Sequence, residues 1–243
     1  MLLDALRDIV KHTHSLGFIE MVKVIGTSTD LKIETKDDNN TVIIYGNMYQ
    51  PVKDLESTVG LSQMGVLKGF ITMMPEKTNL SVSKEQRNGI DSPVGVKFDG
   101  AGFLANYRFM SESMINDQVK VPPFKGASWD ITIDPSKASV DRLNSTFGVL
   151  GSLEKRFTVI VDKGNLNFQV GSGPTNSVTT TFAEGVTGNL KHQWTYPLGQ
   201  VLSILKLVDT SNAKMSFSDM GALKIDIDSG TGKYSYILPA GKA

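Results

Sequence analysis

The chain contains no cysteine. Disulfide bonds, thiolate metal ligands and cysteine nucleophiles are therefore excluded. No run approaches 18 consecutive apolar residues, the length at which a segment becomes a candidate membrane span. Net charge is absent as well, because 25 basic residues balance 25 acidic ones. This balance argues against capture of nucleic acid by bulk electrostatic attraction, so any such contact has to come from local placement of charge.

Recognisable catalytic and ligand-binding motifs are also missing. The segment Asp228–Lys233 looks like a phosphate loop, but Ile227 stands where that motif needs glycine and Tyr234 where it needs serine or threonine. A calcium loop starting at Asp226 fails because its twelfth position is Ile237. We predict no catalytic residue, no metal site and no cofactor, which indicates a binding or scaffolding protein and not an enzyme.

The N-terminal segment carries charges on an apolar stripe, at Asp4, Arg7, Asp8 and Lys11. This is the pattern of an amphipathic helix and differs from the uninterrupted apolar core of a signal peptide. With the absence of cysteine it fits a reducing compartment, and we expect a cytoplasmic protein.

One segment of the chain is written twice. Gly65–Met74, a polar turn and Leu80–Ser83 reappear later as Gln200–Val208, a turn and Met215–Ser218. The spacing that relates Val66 to Val201, here called the repeat offset, also relates Val24 to Val159, Leu31 to Leu166 and Ile33 to Phe168. We predict two similar domains of about 120 residues each. The alternative is a chance similarity between amphipathic segments.

Periodicity and turn signals predict an α+β fold with antiparallel sheets. The predicted helices are 2–14, 56–74 with Asp54 as N-cap, a third beginning at Asp134-Pro135 and containing Val140 to Leu150, and a fourth opened by Pro197. The predicted strands are 18–25, 31–35, 41–45, 78–84, 92–98, 102–110, 129–133, 157–161, 166–170, 178–182, 215–217, 223–227 and 234–238. Residues 111–127, which contain Pro122-Pro123 and end in Lys125-Gly126, show no sustained period. The predicted organisation is domain 1 over 1–110, a connector over 111–127 and domain 2 over 128–243.

The stretch Tyr196–Ile227 and the ending Tyr236–Ala240 resemble a known family. A helix of the form Pro-Leu-Gly-Gln-Val-Leu-Ser-Ile-Leu-Lys leads through a turn to Lys-Met-Ser-Phe-Ser and Leu-Lys-Ile-Asp-Ile. This unit, with the duplicated layout and the central connector, resembles the DNA sliding clamps of the trimeric type. The likeness is greatest to clamps of large tailed phages and fainter to the eukaryotic proliferating-cell clamp.

The resemblance implies the DNA-clamp fold, in which each domain packs two helices on antiparallel sheet. It implies a homotrimer closed into a ring around duplex DNA, with strand 102–110 of one copy pairing with 177–183 of the next. The expected function is that of a polymerase processivity factor, with DNA polymerase and a clamp loader as partners, in the host cytoplasm if the protein is phage-encoded. The alternative is a β-rich phage assembly protein of a tail or baseplate.

Two sets of site residues follow from the resemblance. The DNA-facing set is the basic residues of the helices: Arg7, Lys11, Lys68, Lys137, Arg142 and Lys206. Against Asp4, Asp8, Glu56 and Asp141 they give a balance of plus two, which ordinary solvated helix faces would also show. The partner-peptide pocket is Met114, Ile115, Val119, Val121, Ala222, Ile237, Leu238, Pro239 and Ala240. The alternative is that these apolar residues only fasten the connector to the sheets.

Overall fold

The structure, a computed structural model, describes residues 2–87, 89–124 and 126–242. Lys125, at the predicted end of the connector, lies outside the described residues. The α-helices are α1 (Leu2–His12), α2 (Met64–Met73), α3 (Glu112–Gln118), α4 (Lys137–Leu150) and α5 (Leu198–Leu205). The strands are β1 (Val22–Gly26), β2 (Leu31–Lys36), β3 (Ile43–Met48), β4 (Thr58–Leu61), β5 (Asn79–Arg87), β6 (Ile90–Gly100), β7 (Phe103–Arg108), β8 (Ile131–Ile133), β9 (Arg156–Asp162), β10 (Asn165–Val170), β11 (Val178–Ala183), β12 (Trp194–Pro197), β13 (Ala213–Ser218), β14 (Ala222–Asp228), β15 (Gly232–Pro239) and β16 (Gly241–Lys242). The predicted α+β class is confirmed.

The chain divides into two compact units. Unit 1 comprises Met1–Asp38, Ile43–Pro122 and Ser229–Tyr234, and unit 2 comprises Asn39–Val42, Pro123–Asp228 and Ser235–Ala243. Each unit is defined by its internal contacts, and each combines three separate segments of the chain. The predicted boundaries at 110 and 128 therefore stay a prediction.

Unit 1 is built on antiparallel strands in the order β4-β1-β2-β3, with the start of β15 beside β3, and on a second sheet β5-β6-β7. Helix α1 is amphipathic: Leu6 and Ile9 are buried in the core, whereas Arg7 and Lys11 are exposed. The apolar positions of β1 and β2 alternate with polar ones, so each strand turns one face to the core.

Unit 2 contains a sheet in the order β11-β10-β9-β12-β16 and strands in the order β15-β14-β13-β8. Its core is aromatic, with Phe157 and Phe168 separated by 4.5 Å between ring centroids and with Tyr196 and Phe217 also fully buried. Buried residues of α5, such as Leu198 and Val201, complete this core.

Strand register confirms the internal repeat. Val24 of β1 faces Ile33 of β2, and at the repeat offset Val159 of β9 faces Phe168 of β10. The neighbouring strands obey the same offset, because Val24 also faces Val59 and Val159 also faces Trp194. Strands β3 and β11, at 43–48 and 178–183, are related by this offset as well.

The predicted helix over 56–74 is wrong at its start. Residues Thr58–Leu61 form β4 and pair with β1, and the helix begins only at Met64. Asp54 lies in a short 3-10 helix, so it is not the N-cap, which is Gln63 with a left-handed φ of 51°. Burial of Val59 and Leu61 against unit 1 outweighs the helical spacing that the sequence suggested.

Two further boundaries differ from the prediction. Helix α4 is capped by Ser136, whose Oγ accepts a hydrogen bond from the Ser139 amide at 3.1 Å, so Asp134-Pro135 precedes the helix. The connector, predicted to be irregular, contains α3, capped by Ser111. This helix has seven residues and one buried side chain, Ile115, which is too little to produce a visible period.

Smaller differences lie at element ends. The predicted strands 18–25 and 129–133 begin at Val22 and Ile131. Helix α1 ends at His12 and is followed by a 3-10 turn. Strands β4, β12 and β16 were not predicted, because such short segments carry almost no alternation.

Candidate DNA-facing and partner surfaces

The predicted DNA-facing cations of unit 1 lie on exposed faces of its helices. Arg7 and Lys11 project from the exposed face of α1, and Lys68 projects from α2. Within the described ranges, none of the three has a carboxylate within 4 Å of its charged group. Their charge is therefore available to an external anion.

The predicted cations of unit 2 are engaged with neighbouring groups. Lys137 forms an ion pair with Asp141 at 2.9 Å. Lys206, the C-cap of α5, donates to Asn144 Oδ1 at 2.6 Å. Arg142 donates to Ser139 Oγ and to the carbonyl oxygen of Thr181 in β11, both at 3.1 Å. Arg142 thus connects helix α4 to the edge strand β11, a contact that its position in the sequence does not reveal.

The helix charge balance equals the predicted plus two, but with different members. Glu56 lies outside the helices, which leaves Asp4, Asp8 and Asp141 as acids on α1, α2, α4 and α5. Lys206 is the C-cap that follows α5, so five basic residues remain on these helices, and five minus three gives plus two. Asp8 is only 8 % exposed, so it adds little negative charge to the surface.

Asp8 belongs to a buried polar cluster in unit 1 that sequence reasoning missed. Its Oδ2 accepts hydrogen bonds from Tyr234 at 2.8 Å and from Ser229 Oγ at 3.0 Å. His12 stacks on the Tyr234 ring at 4.4 Å, with its Nε2 3.7 Å from Asp8 Oδ1. Burial raises the pKa of Asp8 despite these hydrogen bonds, and burial lowers the pKa of His12 to about 4. The i, i+4 spacing of Asp8 and His12 was the available signal.

The connector half of the predicted peptide pocket lies in unit 1, and only part of it is accessible. Met114 is 56 % exposed and Val121 is half-buried. Ile115 is fully buried and Val119 is 5 % exposed. A Cβ built on Gly60 would lie 2.8 Å from Ile115, so this side chain rests directly on β4. Ile115 and Val119 therefore fasten α3 to the sheet, as the alternative interpretation held.

The tail half of that pocket lies in unit 2. Ile237 and Leu238 are buried in its core, whereas Pro239 is exposed. Ala222 and Ala240 are half-buried, and the Ala240 amide donates to the Gly221 carbonyl oxygen at 2.9 Å. Because the two halves belong to different units, the pocket as a whole stays a prediction.

Strand β7 is an open edge of unit 1 among the strands that the structure describes. The Phe109 amide donates to Val94 of the β6 side at 2.9 Å. Alternation along an antiparallel ladder then turns the amides of Leu104, Asn106 and Arg108 away from β6. Leu104 is also 65 % exposed. Strand β11 is a second open edge, with β10 as its neighbour in the described part of the sheet.

Neither a metal cluster nor a membrane-spanning helix occurs among the described residues. Across 2–87, 89–124 and 126–242, no group of three or more histidine, aspartate or glutamate side chains could hold a metal ion. Over the same ranges, no helix combines the length and apolar character needed to cross a bilayer.

The fold is that of PCNA, the proliferating cellular nuclear antigen, although sequence identity is low. PCNA of A. fulgidus, in a structure with the C-terminal region of FEN-1 bound, is similar over 100 % of this chain and 95 % of its own, with a TM-score of 0.70 and 12 % identity. PCNA of Thermococcus kodakaraensis is similar over 97 % of both chains, with a TM-score of 0.71 and 10 % identity. A PCNA2–PCNA3 complex of Sulfolobus tokodaii is similar over 98 % of this chain and 95 % of that one, with a TM-score of 0.63 and 16 % identity. No protein-family model matches the sequence, and no curated protein does. The predicted clamp fold is confirmed over the whole chain.

Proposed function

We propose that this protein is a DNA sliding clamp, a polymerase processivity factor that encircles duplex DNA as a closed homotrimer. The observation that carries the proposal is a strand pairing present in unit 1 and missing from its repeat among the described strands. Strand β3 is flanked by β2 and by the start of β15, with the Tyr49 amide donating to Thr231 at 3.0 Å. Strand β11 is the counterpart of β3 at the repeat offset, and its outer edge is open.

The repeat also indicates which strand fills that edge. After α5 the chain forms β13, β14 and β15, and after α2 it forms β5, β6 and β7. Strand β7 is therefore the counterpart of β15, and its outer edge is open too. Since β15 pairs with β3, β7 of one copy is expected to pair with β11 of the next. Such a head-to-tail contact generates a ring when its rotation closes.

The free cations fit loose contact with DNA. A clamp holds DNA by topology, so tight phosphate binding would hinder sliding, and a weak, salt-screened attraction is sufficient. Arg7, Lys11 and Lys68 supply unpaired positive charge on helices in a chain without net charge. Lys137, Arg142 and Lys206 complete the proposed DNA-facing set, with part of their hydrogen-bonding capacity already used.

The proposed partners are duplex DNA, a DNA polymerase and a clamp loader, acting in the cytoplasm. The similar PCNA of A. fulgidus binds the C-terminal region of FEN-1, and PCNA2 and PCNA3 form a complex. By analogy we propose that this protein binds partner peptides, with Met114, Val121, Ala222, Pro239 and Ala240 as the accessible members of the pocket. The tail or baseplate alternative has no comparable support from the fold.

Retention on end-blocked DNA tests the proposal. A duplex fixed to a bead at one end is incubated with the protein, after which the free end is blocked with streptavidin and the beads are washed at high salt. A threaded ring stays on blocked DNA and slides off unblocked DNA, and a restriction cut releases it. Equal loss from blocked and unblocked DNA would contradict encirclement.

In the same assay, charge reversal distinguishes retention by a closed ring from electrostatic attraction to DNA. Arg7→Glu, Lys11→Glu and Lys68→Glu together should slow threading at low salt without releasing rings that are already blocked. The matched control reverses Lys32, Lys163 and Lys233 together, which are exposed lysines of strands and a turn outside the proposed DNA-facing set, and it should leave the threading rate unchanged. An unchanged threading rate in the triple variant would show that these side chains do not face DNA.

A further inference from the structure

A groove in unit 2 lies over the polar face of β9, β10 and β12. Its volume is about 410 Å³, and it is lined by Glu154, Arg156, Thr158, Gln169, the turn at 171–173, Gln193 and Thr195. All these residues belong to unit 2, so the groove is a feature of that unit alone.

Arg156 is held in a fixed orientation in this groove. Its Nε donates to Thr195 Oγ1 at 2.9 Å and its Nη2 to the Thr195 carbonyl oxygen at 2.5 Å. The nearby Glu154 carboxylate accepts from the Arg156 backbone amide at 3.0 Å. In the part of the chain that the structure describes, no carboxylate lies within 4 Å of the guanidinium. A half-buried, oriented guanidinium of this kind suits a carboxylate ligand.

The internal repeat identifies the corresponding place in unit 1. At the repeat offset, Arg156 corresponds to Met21 and the turn 171–173 corresponds to 36–38. Met21 and residues 36–38 line a cleft of only about 180 Å³. Gln118 and Val119, from the end of α3 and just beyond it, line the same cleft. The connector therefore covers in unit 1 the surface that is open in unit 2.

The residue at one equivalent register position differs between the two surfaces. Gly60 and Thr195 occupy equivalent register positions, opposite Lys23 and Thr158. In unit 1 the missing side chain of Gly60 leaves room for Ile115. In unit 2 the Thr195 side chain fills that room and holds Arg156. Unit 2 thus presents the Arg156 guanidinium on the surface that the apolar side chain of Ile115 covers in unit 1.

We propose that the groove around Arg156, here called the Arg156 groove, binds an acidic peptide segment of a partner protein. The segment lies across β9 and β12 as α3 lies across β1 and β4, with a glutamate or aspartate against Arg156. Gln169 and Gln193 offer amide groups to its backbone. This site is separate from the peptide pocket described above and does not rest on the clamp function.

Anisotropy with a labelled peptide tests the inference on the intact protein. The probe is the connector sequence 111–121 with Val119→Glu, which puts a carboxylate at a position that lines the same cleft as Met21 in unit 1. It should bind at least tenfold more tightly than the unmodified 111–121 peptide. Arg156→Gln should abolish that difference, and Arg156→Glu should restore binding of a Val119→Lys peptide.

Two further variants test whether the effect on peptide binding is specific to the Arg156 groove. Lys84→Gln removes an exposed cation of unit 1 that lies 3.9 Å from the Asp54 carboxylate, and it should leave binding unchanged. Gln169→Glu adds a negative charge without touching the Thr195 hydrogen bonds, and it should weaken binding even if Arg156→Gln fails to fold. No binding at about 1 mM peptide, or equal loss in Lys84→Gln, would overturn the proposal. Competition by inorganic phosphate as strong as by the peptide would reduce the site to an anion site and contradict peptide recognition. DNA does not enter this measurement, so its failure leaves the clamp proposal untouched.

Discussion

At the residue scale, the buried Asp8 cluster connects helix α1 to segment 229–234 of unit 1. Tyr234 and Ser229 belong to the chain segment 229–234, near the opposite end of the sequence from Asp8. A buried carboxylate that loses such a donor bears the cost of desolvation, about 1–3 kcal/mol. The cluster therefore makes the placement of α1, with Arg7 and Lys11 on its exposed face, depend on segment 229–234, which contains the start of β15.

His12 makes the stability of the protein depend on acid. Its pKa is about 4 in the folded protein against an ordinary value of 6.5, so the unfolded chain binds the proton more readily. The contribution of His12 is complete above pH 6.5 and falls as the pH drops toward 4. Lys11, which is close to His12, also lowers the pKa of His12. Asp8, which faces His12, has a raised pKa, so its contribution to the stability of the folded protein increases on acidification.

We expect His12→Gln to lose less stability than the wild type between pH 7 and pH 5, by about 2 kcal/mol. Chemical denaturation at the two pH values measures this difference. The control is His192→Gln, which alters an exposed imidazole. Parallel losses in the wild type and His12→Gln would contradict the assignment.

Some single positions could be predicted from the sequence and others could not. Val24, Ile33, Val159 and Phe168 were correctly predicted to lie in strands, because strand alternation is a local pattern. The burial of Ile115 could not be predicted, because it depends on the absence of a side chain at Gly60, which lies far from it along the chain. Long-range contacts of this kind leave no periodic signal in one sequence.

At the element scale, the helices and strands with strong periods were predicted well and the short ones were not. The sequence-based prediction included β4 in the helix that follows it, because the apolar residues of β4 continue the helical spacing of α2. Its pairing with β1 is decided by tertiary burial. The same applies to β12, the counterpart of β4, whose sequence Trp-Thr-Tyr-Pro shows no clear alternation.

The open edge of β7 gives a position-specific prediction. Asn106→Pro removes an amide that points away from β6, so we expect assembly to weaken at least tenfold while the monomer stays folded. Ala105→Pro is the matched comparison, because its amide faces β6, and it should instead destabilise the fold by about 1–3 kcal/mol through the lost ladder hydrogen bond. Sedimentation and thermal melts separate the two effects. Intact assembly in Asn106→Pro would remove β7 from the interface.

At the scale of the whole molecule, the internal repeat is what the sequence revealed best. It predicted two similar halves, and the register of β1, β2, β9 and β10 confirms them. The site residues were harder, because a charge count does not show which cations are paired. Lys137 and Arg142 are engaged with Asp141 and Thr181, whereas Arg7 and Lys11 have no carboxylate within 4 Å among the described residues.

The mass of the protein in solution shows directly whether three copies assemble. For a homotrimer joined through β7 and β11, light scattering coupled to size exclusion should give three times the 26.4 kDa of one chain. Asn106→Pro should shift that mass toward a single chain. A wild-type mass of one or two chains at every concentration measured would contradict the closed ring of three.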